Sequence, residues 1–133
     1  PTFEGLVKVL LSNNFNKKTA LDIINSSKVN INQQNHNGDT VLHLCLYNLS
    51  FNEAIWLINQ NIDTSIKNND GLTVLRVAVQ KGNTEVVDKL IRQSTVDVNE
   101  IDSSKRSLMQ DAVIYGHKNI VSLLNLYIED INT

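Results

Sequence analysis

Apolar residues cluster at helical spacing along this chain, and the clusters themselves recur. Val74, Leu75, Val77, Ala78 and Val79 predict a short helix with a broad apolar face. Thr73 stands where that helix starts, with a hydroxyl placed to satisfy an orphan N–H. Gly82 ends it in the left-handed conformation that glycine reaches cheaply. Thr84-Glu85 restarts the chain, and Val86, Val87, Leu90 and Ile91 form the stripe of a second amphipathic helix. Asn68-Asn69-Asp70-Gly71 ahead of this pair is turn chemistry, and Asp97-Val98-Asn99 after it turns the chain outward again. The unit reads as loop, short helix, tight turn, longer helix.

The same order returns with Ala112, Gly116-His117, Ile120, Val121 and Leu124, and precedes it with Cys45 in the small slot of Ala78 and Ala112. There the second helix opens on Ser50-Phe51-Asn52-Glu53, read as a capping box. At the front of the chain Leu6, Val7, Val9, Leu10 and Leu11 predict an inner helix, and Ala20, Leu21, Ile23 and Ile24 an outer one, without an opening loop. A marker, Asp/Asn-x-Asn/Ser, closes each unit: Asn30-Ile31-Asn32, Asp63-Thr64-Ser65, Asp97-Val98-Asn99 and Asp130-Ile131-Asn132, spaced 33, 34 and 33 residues apart. The expected division is an atypical unit over 1–34, then 35–67, 68–101 and 102–133, in one array. A fixed period of this size means stacked units, each burying its apolar face only against its neighbours.

Composition narrows the function classes. The formal net charge of −2 gives no reason to expect nucleic acid or an anionic membrane surface as partner. No apolar run is long enough to cross a bilayer. Cys45 stands alone, which excludes an internal disulfide and fits a reducing compartment. No secretory leader is evident, and a chain starting at Pro1 is expected to be a piece of a longer protein. His36, His43, His117 and Cys45 do not stand at metal-ligand spacing. A His43/Cys45 nucleophile pair fails because residues two apart on a helix point in different directions. Gly38 and Gly71 are single turn glycines, not a phosphate-cradling loop. No catalysis, cofactor or metal is therefore expected. Glu129 and Asp130 are read as belonging to a terminal turn.

In phase, these positions resemble the ankyrin repeat family. Gly38, Thr40, Leu42 and His43 carry the likeness in the second unit. Gly71, Thr73, Leu75, Ala78, Gly82, Val86-Val87, Leu90-Ile91 and Asp97-Val98-Asn99 carry it in the third, and Ala112, Gly116-His117, Ile120-Val121 and Leu124 in the fourth. The resemblance implies an all-α solenoid of stacked helix-turn-helix repeats with finger-like loops. Departures carry expectations of their own. Arg76 and Gln110 replace the recurring His, so the hydrogen bonds tying adjacent loops should be thinner. Leu49 replaces the inter-helix glycine, so Asn48 is expected to take that turn. Glu53 stands at an apolar position, so its helix should be rotated or shifted. Lys105 stands in the place of a loop glycine.

The resemblance also implies a concave groove, lined by loops and inner helices, that grips a folded protein. In phase it places His36, Asn37, Asp39, Tyr47 and Asn48 on that surface, then Asn69, Asp70, Leu72, Gln80 and Lys81, then Ser103, Ser104, Arg106, Ile114 and Tyr115. Tyr47, Leu72, Ile114 and Tyr115 are the costly ones to expose. Trp56 and Phe51 are read as packing, and Asn99 and Asn132 as turn residues whose Val-Asn and Ile-Asn context also resembles hydroxylated positions of the family. The leading expectation is a non-catalytic, monomeric, intracellular protein-interaction module. The alternatives are a structural spacer or capping segment of a larger array, or a substrate-recruiting appendage of an enzyme.

Overall fold

The computed structural model describes residues 2–26, 28–93 and 96–132, and of 129–132 the backbone alone. Eight helices form four antiparallel pairs among these residues: α1 Phe3–Leu11 with α2 Lys17–Asn25, α3 Val41–Tyr47 with α4 Phe51–Ile58, α5 Val74–Lys81 with α6 Thr84–Ile91, and α7 Leu108–Ile114 with α8 Lys118–Asn132. The inner helices α1, α3, α5 and α7 stack in that order, and the outer helices α4, α6 and α8 stack behind them. No β-strand occurs among the described residues beyond an isolated bridge between Ile101 and Ser107.

Burial follows the sequence period. Leu42, Leu46, Leu75, Leu108, Leu57, Leu90 and Leu124 lie in the shared core, and Cys45, Ala78 and Ala112 fill the small slot where paired helices approach. The Cys45 thiol is pushed up to about 12, first by burial and then by the charge of Glu53, so it packs as a small apolar group. Trp56 packs edge-to-face on Phe15, with ring centroids 5.4 Å apart, and so joins the first pair to the second.

Each described turn marker has a local cause. Asn30 Oδ1 accepts the Asn32 N–H, Asp63 Oδ1 the Ser65 N–H and Asp97 Oδ1 the Asn99 N–H, each at 2.9 Å. A short side chain that bonds its own backbone two residues on makes the turn. The fourth marker is different. Asp130-Ile131-Asn132 lies within α8, as does Glu129, so no terminal turn forms there; their side chains, and with them the Asn132 reading, lie outside the described residues.

The second unit departs from expectation in an informative way. Leu49, not Asn48, adopts the left-handed conformation (φ 61°), while Asn48 stays right-handed (φ −82°). Leu49 thereby reproduces the geometry of Gly82 (φ 77°), and α4 begins and ends in phase with α6 rather than shifted. A side chain in this region costs about 1–2 kcal/mol. Glu53 is accommodated because it lines an open groove with Asn13, Lys17 and Asn52, where water reaches it. The capping box at Ser50 does not form, since Ser50 makes no side-chain cap and its hydroxyl instead accepts from Asn48 Nδ2 at 2.7 Å. Capping boxes occur at Thr40/His43 and Ser107/Gln110.

Two glycines in the same conformation separate strain from contact. A Cβ on Gly82 (φ 77°) would meet the His117 ring, whereas one on Gly116 (φ 75°) would meet nothing within 4 Å. Gly116→Ala should cost about 1–2 kcal/mol, the left-handed penalty alone. Gly82→Ala should cost clearly more, because His117 must also move. Urea unfolding of both variants checks this, and equal losses would mean that the His117 contact contributes nothing.

Candidate protein-interaction surface

The loops that precede α3, α5 and α7 share one construction. Their first residue, Asn35, Asn68 or Asp102, accepts two backbone N–H bonds through its side-chain oxygen: from Asn37 and Asp39, from Asp70 and Leu72, and from Ser104 and Arg106. A backbone bond closes each loop, from Asn35 to Asp39, Asn68 to Leu72 and Asp102 to Arg106. Lys105 takes φ 64° at the third loop and matches the glycines it replaces. The Asp102 carboxyl is held below the usual carboxylate range, chiefly by the Arg106 N–H.

Adjacent loops are stitched to one another. The Asn69 N–H donates to Asn37 O at 3.0 Å, and its Nδ2 to His36 O at 2.9 Å. Asn68 Nδ2 donates to Asp39 Oδ1 at 2.9 Å and to Tyr47 Oη at 3.0 Å. His43, fully buried, donates through Nε2 to Leu72 O at 2.9 Å, while Nδ1 accepts from the Thr40 N–H at 3.1 Å. That pattern requires the neutral imidazole, and burial lowers its pKa accordingly.

At the next joint Arg76 occupies the phase of His43, and the tie becomes thicker, not thinner. Its guanidinium is fully buried. Nη2 donates to Arg106 O at 3.1 Å, the counterpart of the His43–Leu72 bond, and to Glu100 O at 3.3 Å. Nη1 donates to Ser107 O at 3.0 Å and to Asp111 Oδ2 at 3.2 Å. Glu100 adds an ion pair at 3.6 Å and is itself held by the Thr73 hydroxyl at 2.6 Å. Arg76 Nε is left without a partner. Four carbonyl or carboxylate acceptors for four terminal N–H groups make this a fork that a point-charge cation cannot reproduce.

The residues expected on the surface divide into two groups. His36, Asn37, Asn48, Asn69, Asp70, Lys81, Ser103, Ser104 and Arg106 are exposed, as are Tyr47 (38%), Tyr115 (51%) and Ile114 (57%). Asp39 is instead buried on Asn68, Leu72 is half-buried, and Gln80 is half-buried with its Nε2 on Asp111 Oδ2 at 3.1 Å. The Lys81 ammonium lies 5.7 Å from the centroid of the Tyr47 ring, within cation–π range. Tyr115 stacks on His117, whose Nε2 donates to Gln80 O at 2.9 Å. Leu49 and Val113 are also exposed, at 59% and 61%; the sequence reading sets Leu49 aside in favour of Asn48 and does not single out Val113. No group of three or more His, Cys, Asp or Glu side chains able to hold a metal occurs among the described residues, and no described helix is long and apolar enough to cross a membrane.

A family model for ankyrin repeats (three copies) matches residues 3–102 and 54–133. Among curated relatives, the chain is 32% identical over 101 residues to the SMC5-SMC6 complex localization factor protein 1 of Bos taurus, covering 74% of this chain and 9% of that one. It is 28% identical over 127 residues to the ankyrin repeat protein FPV031 of fowlpox virus, covering 91% of this chain and 37% of that one. Alpha-latroinsectotoxin-Lt1a of Latrodectus tredecimguttatus is 23% identical over 115 residues, which is 86% of this chain and 8% of the toxin. The chain thus spans well under half the length of each of these relatives.

Two outcomes test how the loops are held. Arg76→Ala leaves Asp111 and Glu100 without their cation and should cost about 3–5 kcal/mol in urea unfolding; Arg76→Lys should fall between it and wild type, and a loss below about 1 kcal/mol for Arg76→Ala would refute the anchor. His43 has a lowered folded pKa, so below the ordinary imidazole value the unfolded chain takes up a proton that the fold refuses. Stability should therefore fall as pH drops below about 6.5, and His43→Gln should flatten that decline in melts from pH 7.5 to 5. Helices stacked in phase, fingers stitched across joints and a matching family model have one meaning: this chain belongs to the ankyrin repeat family.

Proposed function

We propose that the chain is a non-catalytic module that binds another protein through the concave surface of its fingers and inner helices. Ankyrin repeats mediate protein–protein interaction, and the family is generally non-catalytic. The observation that carries it is the stitching of the fingers by Asn69, His43 and Arg76. Loops ordered before contact lose little entropy on binding, so a modest number of contacts suffices. A monomer inside the cell suits this reading, since the lone buried thiol Cys45 fits a reducing compartment.

A second reading has its own observation. Val79 is fully buried, but Val113, its counterpart one unit on, is 61% exposed beside a shallow groove formed by Gly116, His117 and Val121. A further unit of a longer array would cover that end face as the fourth unit covers the third.

Photo-crosslinking separates the two. A benzoylphenylalanine at Ser104 or Tyr115 in a source-cell lysate should capture a protein that the same group at Asn59 or Gln93, just past the C-terminal ends of the outer helices α4 and α6, does not. Capture from the outer positions alone would contradict the concave-surface reading. Capture from neither, together with capture from Val113, would favour the longer array.

A further inference from the structure

The turn ends of the inner helices form a ridge whose chemistry differs from that of the chain as a whole. Leu49 follows Tyr47 and Asn48, Lys81 lies over the Tyr47 ring, and Gln80 beside Lys81 accepts from His117, on which Tyr115 stacks. These contacts link Tyr47 to Tyr115 across the three turns, with Leu49 and Ile114 adjoining them in sequence. Four large apolar or aromatic side chains are exposed along it: Tyr47, Leu49, Ile114 and Tyr115, between 38% and 59%. No acidic residue occurs at positions 47–49, 80–82 or 114–118, although the chain carries a net charge of −2; the carboxylates that reach this surface are Asp39 and Asp70, whose charges act on the Tyr47 hydroxyl, and Asp111, which Gln80 and Arg76 hold. Lys81 and Lys118 are exposed there and form no ion pair among the described residues.

Leu49 supplies the second observation. The phase-equivalent positions in the next two units are Gly82 and Gly116, all three with positive φ. A leucine there adopts a backbone conformation that disfavours its own side chain and then leaves 59% of its surface in water. It gains neither relaxed backbone nor full burial. Strain held at an exposed position is a pointer to contact with something outside the chain.

We infer that this ridge binds an acidic, amphipathic segment of a partner protein, with large apolar side chains laid on Leu49, Tyr47, Ile114 and Tyr115 and carboxylates meeting Lys81 and Lys118. The inference rests on the concave-surface reading above and adds the chemistry of what that surface takes. Apolar contact gives the affinity, and the paired cations select against basic segments.

Random 16-residue peptides displayed on phage and selected against the whole chain test this. Enriched sequences should hold more Asp and Glu than Lys and Arg, with Leu, Ile, Phe or Trp interspersed. Fluorescence anisotropy of a synthesised winner should show at least tenfold weaker binding to Lys81→Glu and to Leu49→Gly. Leu49→Gly should melt no lower than wild type, which separates lost contact from lost fold. Enrichment of basic or uncharged peptides, no enrichment at all, binding indifferent to both variants, or a lowered melting temperature for Leu49→Gly would each overturn the proposal. If the ridge fails while crosslinking at Ser104 still captures a protein, the concave surface stands and only this assignment of its chemistry falls.

Discussion

Burying a guanidinium is costly unless every donor it turns inward meets an acceptor, and Arg76 nearly achieves this at the joint between the third and fourth helix pairs. Three carbonyls and the Asp111 carboxylate take its four terminal N–H groups, with Glu100 as a second counter-charge. Asp111 itself stands in phase with Val77, a core position, and is tolerable there only because Arg76 and Gln80 reach it. Such a cluster adds less net stability than its contacts suggest, since both charges leave water. Its value is geometric: the carbonyls belong to Glu100 and Arg106, which flank the loop ahead of α7, and to the α7 N-cap Ser107, so that loop cannot move without breaking them.

The same constraint in lighter form runs through the joint before it. One imidazole spans Thr40 and Leu72, and one asparagine spans Asp39, Tyr47 and the turn of its own loop. Each joint is therefore held by side chains that pack inward and bond sideways. A stack built this way has neighbour-only contacts yet presents a continuous ordered edge, which is what recognition by preordered loops requires. Left-handed turns complete the frame, and their geometry holds whichever residue occupies them, Gly82 or Leu49, Gly71 or Lys105.

Much of this was legible in the sequence. The period, the helix pairs, the small slot at Cys45, Ala78 and Ala112, and the packing of Trp56 follow from spacing and size alone. What was not legible followed from partners distant in sequence. Arg76 reads as a lost histidine until Glu100 and Asp111 are brought to it, 24 and 35 residues on. Asp39 reads as part of the exposed groove surface until Asn68 covers it. Leu49 reads as incompatible with a left-handed turn because propensity ranks Asn48 above it, while the stacking of α4 in phase with α6 overrides that preference.

Recognition of this kind depends on fingers that are ordered before any partner arrives. Amide hydrogen exchange followed by NMR on the free chain addresses it most directly, because the Asn69 N–H bonds across a joint to Asn37 O and the Arg106 N–H is held by Asp102. Protection of these amides approaching that of the inner helices α3 and α5 is the expected result. Exchange at the rate of an open loop, with the helices still protected, would contradict it and leave the array with a rigid core but unformed fingers.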